Sequence, residues 1–234
     1  MAPNKINILS TRPVADALIE EAIIKGITID ILSFIDTETI ATIEVQQEIE
    51  QALLQSATVI FTSMTAVESV ASYLEDMQPD WTIFTMGTTS QELVKKYFGE
   101  QAIAGTASSA AALAELIAED NSSKEVIFFC GDQRRDELPD ILRANEIDVY
   151  EIEVYSTVAT PHKLAKQYEG ILFFSPSAVQ SFFSVNKLSS KTILFAIGET
   201  TANTIKKYSN NKIIISDAPG KENLLREMIE FFSE

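Results

Sequence analysis

The sequence predicts an α/β protein made of two doubly wound, five-stranded parallel-sheet units, and three observations carry that prediction. Short apolar runs alternate with amphipathic helical patterns along the whole chain, as parallel sheets covered on both faces require. The chain repeats itself: Val59-Ile60-Phe61-Thr62-Ser63-Met64-Thr65-Ala66-Val67 matches Ile171-Leu172-Phe173-Phe174-Ser175-Pro176-Ser177-Ala178-Val179, placing Ser63 and Ser175 112 residues apart. The length of 234 residues suits two units of about 110–120 each.

Taken in order, Ile6–Leu9 reads as a strand ending in Ser10-Thr11-Arg12-Pro13. The following helix carries Val14, Ala17, Leu18 and Ala22 on one face, and Gly26 ends it in the left-handed conformation. Residues 27–32 alternate as a second strand, 36–42 form a polar connection, and 45–54 a helix. The strand 59–62 and helix 67–74 form the first copy of the repeated corner. Strand 82–86 enters Gly87-Thr88-Thr89-Ser90 and a helix with Leu93, Val94 and Tyr97. Residues 101–104 make a short strand before Gly105, and Ser108 or Ser109 caps a helix with Leu113, Leu116 and Ile117.

After a polar break at 121–124 the cycle restarts. Strand 126–130 leads to Gly131-Asp132-Gln133-Arg134-Arg135 and a helix marked by Leu138, Ile141 and Leu142; residues 147–155 are extended. Strand 171–174 then meets Ser175 and Pro176, a strong helix start: the hydroxyl satisfies a free backbone N–H, and proline has none to lose. Strand 193–197 leads into Gly198-Glu199-Thr200-Thr201; strand 213–215 precedes Ala218-Pro219-Gly220 and a last helix with Leu225, Met228, Ile229 and Phe232. Gly87 pairs with Gly198 in the repeat, and residues 29–32 pair with 149–152.

Composition narrows the function. Thirty-four acidic against 18 basic residues give a net charge of −16 with no Lys/Arg cluster larger than a pair, which argues against nucleic acid. The apolar runs are too short for a membrane span, and the single cysteine, Cys130, has no partner for an internal disulfide, so the expected setting is cytoplasmic. No GxGxxG or P-loop occurs among eight glycines, and His162 is the only histidine, so dinucleotide, nucleotide, triad and histidine-metal chemistries lack their usual residues. Cys130 is expected as a small core residue.

In open parallel sheets ligands bind beyond the carboxyl ends of the strands. Those ends carry Thr11 and Arg12, Ser63, Thr88 and Ser90, Gly131 and Arg134, Ser175 and Ser177, and Thr200 and Thr201. Hydroxyls and backbone N–H groups at helix starts suit carboxylate or phosphate, and two such sets facing each other would form an anion-binding cleft. Arg12, Arg134 and Arg135 add carboxylate-recognising cations. A plain N-capping role for the hydroxyls, and surface ion pairs for the arginines, are the competing readings. Tyr155 closes the extended stretch as either a half-buried strand tyrosine or a proton donor.

Thr11-Arg12-Pro13, Phe61-Thr62-Ser63-x-x-Ala66-Val67, Val154-Tyr155-Ser156-Thr157, residues 173–179, and Ala196-Ile197-Gly198-x-Thr200-Thr201-Ala202 together resemble the uroporphyrinogen-III synthase family, over about residues 6–232. The resemblance implies flavodoxin-like domains with a cleft between them, joined by two extended connectors. One domain would be 1–35 plus 158–234 and the other 36–157. It implies cofactor-free and metal-free closure of the linear tetrapyrrole hydroxymethylbilane to uroporphyrinogen III, with inversion of the last ring and loss of water. Tyr155 would assist loss of the hydroxyl, and Ser63, Ser175, Thr200 and Thr201 would line the cleft. The bilane would arrive from the upstream bilane-forming deaminase. A non-enzymatic two-lobed module for a small anionic ligand is the alternative, and an adaptor with an apolar patch a third.

Overall fold

The computed structural model describes residues 6–120, 123–218 and 220–233. Asn121 and Ser122 of the expected polar break, and Pro219 of the last corner, lie outside the described residues. In chain order the elements are β1 (Ile6–Ser10), α1 (Asp16–Ile24), β2 (Ile27–Ile31), β3 (Ile35–Thr39), α2 (Ile43–Leu53), β4 (Ala57–Phe61), α3 (Met64–Ala71), β5 (Trp81–Met86), α4 (Thr88–Phe98), β6 (Ile103–Ala107), α5 (Ala110–Asp120), β7 (Glu125–Gly131), α6 (Glu137–Ala144), β8 (Asp148–Ala159), β9 (Gly170–Phe173), α7 (Pro176–Val185), β10 (Ile193–Ala196), α8 (Glu199–Ile205), β11 (Ile213–Ile215) and α9 (Lys221–Phe231).

The chain divides into two compact units, with breaks at Asp36/Thr37 and Thr157/Val158. The first unit holds a five-stranded sheet in the order β11-β10-β9-β1-β2. Numbered along its own stretches of chain, this is the doubly wound order 2-1-3-4-5, whose direction reverses between β1 and β9. All its ladders are parallel. The second unit holds the order β3-β8-β7-β4-β5-β6. Without β3 it is the same layout begun at a different strand: β4, β5 and β6 replace β9, β10 and β11, and β7 and β8 replace β1 and β2. Each unit thus takes two strands of one repeat copy and three of the other.

The central strands are the most apolar, because both their faces are covered. β9 is buried throughout, and β4 is buried from Thr58 to Phe61. In the first unit Ile8, Leu172 and Phe195 pack under α1 and α9, while Leu9, Phe173 and Leu194 pack under α7 and α8 with Phe34 and Phe182. Gly170 is needed where β9 meets this core: a Cβ there would lie 2.9 Å from both Ile8 and Phe232. In the second unit Phe61, Phe129, Trp81 and Phe98 form a ring cluster beneath α2, α3 and α4; Phe61 and Phe129 stack at 5.5 Å. The opposite face, with Phe84 and Phe128, is covered by α5 and α6.

Four expectations need correction. The second sheet has six strands, because Ile35 and the first four residues of the expected polar connection at 36–42 form β3. Ile40 N–H donates to Val154 C=O, and Thr160 N–H donates to Phe34 C=O, so this stretch runs antiparallel to the β8 strand. An edge strand needs backbone pairing but no apolar face, which is why its polar sequence concealed it. The strand expected at 101–104 begins at Ile103, after a 3-10 turn over Glu100–Ala102. Gly105 lies inside it, where a Cβ would come within 2.5 Å of Leu116. Ala17 is exposed; the buried seam of α1 is Leu18 and Ala22, one helical turn apart. The extended stretch at 147–155 is longer than expected, running through Ala159.

Candidate functional site

The corners expected to carry chemistry all lie at carboxyl ends of parallel strands, and each unit has its own set. In the first unit the reversal point lies between β1 and β9. Thr11 sits there, but its hydroxyl donates to Leu172 O at 2.8 Å and its side chain is buried. It ties the end of β1 to β9, which closes it to a ligand. Arg12 is exposed, and no ion pair holds it among the described residues. Ser175 caps α7: its Oγ accepts from Ala178 N–H at 3.2 Å and lies 3.0 Å from Ser177 Oγ. Both serines are half-buried. At the end of β10, Thr200 is exposed while Thr201 is buried.

The second unit repeats the pattern. Ser63 Oγ accepts from Ala66 N–H at 3.1 Å as the N-cap of α3. Thr88 is exposed and Ser90 is buried, so the repeat-related pair Ser90 and Thr201 faces the interior in both units. Ser90 and Thr201, expected to meet a ligand, are thus both buried. The second hydroxyl of each corner falls on the sheet-facing side of its helix, and Thr88, Thr89 and Thr200 are the exposed ones.

Tyr155 and Gly131 form the densest arrangement. The ladder of β7 with β8 shifts register between Cys130 and Gly131, so Gly131 opposes Tyr155. Asp132 N–H donates to Tyr155 O at 3.1 Å, and Asp132 Oδ1 accepts from Thr157 N–H at 2.8 Å. This clamp fixes β8 immediately after the tyrosine, from its own carbonyl to Thr157. A Cβ on Gly131 would lie 2.3 Å from the Tyr155 ring and 2.7 Å from its hydroxyl, so the glycine is the space the ring occupies. Tyr155 is half-buried, and its hydroxyl takes no hydrogen bond among the described residues.

Arg134 departs from expectation. Its guanidinium pairs with Asp136 and Glu151, and Glu151 also accepts from Arg143 at 2.6 Å. Partial burial works against the charged form of Arg134, but these carboxylates outweigh it and hold the group above its ordinary range. Its charge is spent inside the protein; Arg135 of the same corner is exposed and has no ion pair among the described residues. Cys130, buried at the end of β7, is the core residue expected. Burial first, then Glu151, pushes its thiol up to about 12. Sequence reading missed Asp132 and Glu151, because their roles depend on a register shift that leaves no trace in spacing.

A cavity of about 750 Å³ lies at the other end of this sheet, around the amino ends of β4, β5, β7 and β8. Glu48, Asp80, Glu125 and Asp148 line it, an arrangement that repels polyanions. Charge is also unevenly shared between the units. Residues 37–157 hold 22 acidic and 6 basic side chains, and the remaining residues 12 of each, so the whole net charge of −16 falls in the second unit. Among the described residues no group of three or more His, Cys, Asp or Glu is placed to hold a metal, and no helix is long and apolar enough to cross a membrane.

Comparison with known proteins places this geometry. The family model for uroporphyrinogen-III synthase HemD matches residues 16–226. The chain belongs to the uroporphyrinogen-III synthase family. A relative from Schizosaccharomyces pombe named uroporphyrinogen-III synthase is 26% identical over 163 residues, which is 65% of this chain and 63% of that protein. The chain therefore spans under two thirds of that relative's length. Among solved structures, the uroporphyrinogen-III synthetase of Helicobacter pylori is 15% identical with a TM-score of 0.65, covering 97% of this chain and 99% of that one. A mutant uroporphyrinogen III synthase from the extremely thermophilic bacterium Thermus thermophilus is 12% identical with a TM-score of 0.57, covering 97% and 98%. These two likenesses establish that the family's mixed α/β fold with two mostly parallel sheets is the fold of this chain.

Proposed function

We propose that this protein closes hydroxymethylbilane to uroporphyrinogen III, inverting the last pyrrole ring and releasing water. Membership of the synthase family across residues 16–226 is the observation that carries the reading. The geometry supports it through Tyr155, whose backbone is anchored by the Asp132 clamp, with its hydroxyl uncommitted among the described residues. A phenol O–H is a hydrogen-bond donor. It can donate to the departing hydroxyl of the bilane, so that the C–O bond breaks and water leaves.

The resulting azafulvene cation is highly reactive, so the protein's main task is positioning. Attack from the substituted carbon of the last ring gives a spiro intermediate on the way to the inverted isomer, whereas unassisted closure gives the type I product. The hydroxyl-capped starts of α3 and α7 and the exposed Thr88 and Thr200 offer hydrogen bonds to substrate carboxylates. The reading extends to a cytoplasmic setting and to receipt of the bilane from the deaminase that makes it.

The deciding experiment feeds the purified protein freshly generated hydroxymethylbilane, oxidises the products and separates type I from type III porphyrin. A rise in type III over the protein-free control is the expected result. Type I alone, from folded protein, overturns the reading in favour of an anion-binding module.

A further inference from the structure

Side chains of a strand alternate between the two faces of its sheet, so a slip of one residue moves every later side chain to the other face. In the β8 strand that alternation is broken at the tyrosine. Ile152 and Val154 belong to the core beneath α2, α3 and α4. Glu153 lies between them, in register with Cys130, which belongs to the core beneath α5 and α6. Strict alternation would send Tyr155 the way of Glu153, towards α6. Instead Tyr155 packs against the same core as Val154. The register accounts for the reversal. Cys130 pairs with Glu153 and Gly131 with Tyr155, so Val154 is an extra residue with no partner of its own on β7. One extra residue in one strand is a β-bulge, a device that re-aims side chains beside active sites.

A bulge interrupts the ladder, and its backbone groups need partners from elsewhere. The β7 strand ends at Gly131, and the next residue, Asp132, supplies them. Its N–H donates to Tyr155 O at 3.1 Å, and its Oδ1 accepts from Thr157 N–H at 2.8 Å. A side-chain carboxyl thus carries the pairing past the end of β7. The two arginines that follow do not draw it away: Arg134 pairs with Asp136 and Glu151, and no ion pair joins Asp132 to Arg134 or Arg135 among the described residues.

The face on which Tyr155 stands matters for chemistry. Ser63 caps α3 and Thr88 begins α4, and both helices cover that same face. The bulge therefore sets the phenol on the side of the second unit's sheet that carries the hydroxyls offered to substrate carboxylates.

We propose that Asp132 is a positioning residue for the reaction: its carboxyl locks the bulge at Val154, and the bulge sets the face on which the Tyr155 phenol meets substrate. The inference rests on the proposed cyclase reaction for what the phenol does, and on the register alone for where it stands.

Three variants of the full-length protein test it. Asp132→Ala removes the acceptor. Asp132→Asn keeps a carbonyl oxygen in its place and removes only the charge. Thr157→Pro removes the donor and leaves Asp132 intact. In Asp132→Ala and Thr157→Pro, kcat for type III product should fall about tenfold or more with KM within about twofold, because the reacting group is misplaced and the carboxylate contacts are not. Either variant suffices if the other does not fold. Asp132→Asn should restore kcat to within about twofold of wild type, since its amide oxygen accepts the same bond. Proton NMR reads the aim of the ring separately: contacts between the Tyr155 ring protons and the Gly131 α protons should persist in wild type and Asp132→Asn and weaken in the other two. Wild-type kcat in Asp132→Ala overturns the proposal. So does Asp132→Asn that loses as much turnover as Asp132→Ala, which makes the charge the active feature instead of the lock. Unchanged ring contacts in Asp132→Ala overturn the lock itself. Wild-type protein that makes no type III product overturns the catalytic assignment together with the cyclase reading, while the ring contacts still decide whether Asp132 aims the phenol.

Discussion

Gly131 and Tyr155 occupy one volume: a methyl group on the glycine would fall 2.3 Å from the tyrosine ring. Gly131→Ala must therefore displace the ring or part the two strands. We expect a stability loss of about 1–3 kcal/mol, typical of overpacking, together with at least a tenfold fall in type III product. Gly198→Ala is the control. It has an extended backbone and no atom within 4 Å of the added Cβ, so its stability should stay within about 0.5 kcal/mol of wild type. Urea denaturation of both variants measures the difference.

Tyr155→Phe removes only the hydroxyl, which supports no other group among the described residues. Turnover of hydroxymethylbilane should drop well below wild type, with product affinity and unfolding midpoint nearly unchanged. A variant with full turnover would remove Tyr155 from the mechanism.

The two capping serines occupy equivalent places in the repeat, with Oγ accepting at 3.1 and 3.2 Å. Ser63→Ala and Ser175→Ala should each cost about 1 kcal/mol, the usual value of an N-cap. If these serines also hold substrate, each variant will raise KM in addition; thermal unfolding and steady-state kinetics separate the two effects.

The Cys130 thiol is pushed up from its ordinary 9.0 to about 12, chiefly by burial. A group whose pKa is higher in the folded state stabilises the fold fully below its unfolded pKa and loses that contribution as pH rises towards the folded value. Between pH 9 and 12 the wild type should lose stability faster than Cys130→Ala, and below pH 8 the two curves should run parallel. Thiol reagents at pH 8 should label Cys130 only after unfolding.

Arg134 and Arg135 are neighbours with opposite commitments. Arg134→Met leaves Glu151 short of a partner in a half-buried position and should show mainly as a stability loss of about 1–3 kcal/mol. Arg135→Glu should leave the unfolding midpoint in place and raise KM several-fold. Equal KM values for wild type and Arg135→Glu would exclude Arg135 from binding.

The sheets are legible in the sequence wherever burial dictates composition. The β4 and β9 strands are apolar because both faces are covered, and the Ser63 and Ser175 corners announce themselves by cap chemistry. The β3 strand is not legible, because an edge strand is held by backbone bonds that any residue can make. At the candidate site, the residue types at strand ends are readable but their availability is not. Thr11, Ser90 and Thr201 look like Thr88 and Thr200 in sequence, and differ only in which way the helix or strand turns them. Arg134 looks like Arg135 until Glu151, distant in sequence, is brought beside it.

The interleaving of the repeat copies has a consequence for biogenesis. The second unit is one unbroken stretch, Thr37–Thr157, and emerges from the ribosome whole, with every strand of its sheet in hand. The first unit cannot close then: the β1 and β2 strands are made first, yet the neighbour that completes their sheet, β9, begins only at Gly170. For the time needed to synthesise the intervening chain, the apolar β1 edge waits unpaired. The order of folding is thereby set against the order of translation, with the inserted unit maturing first and the N-terminal strands recruited last.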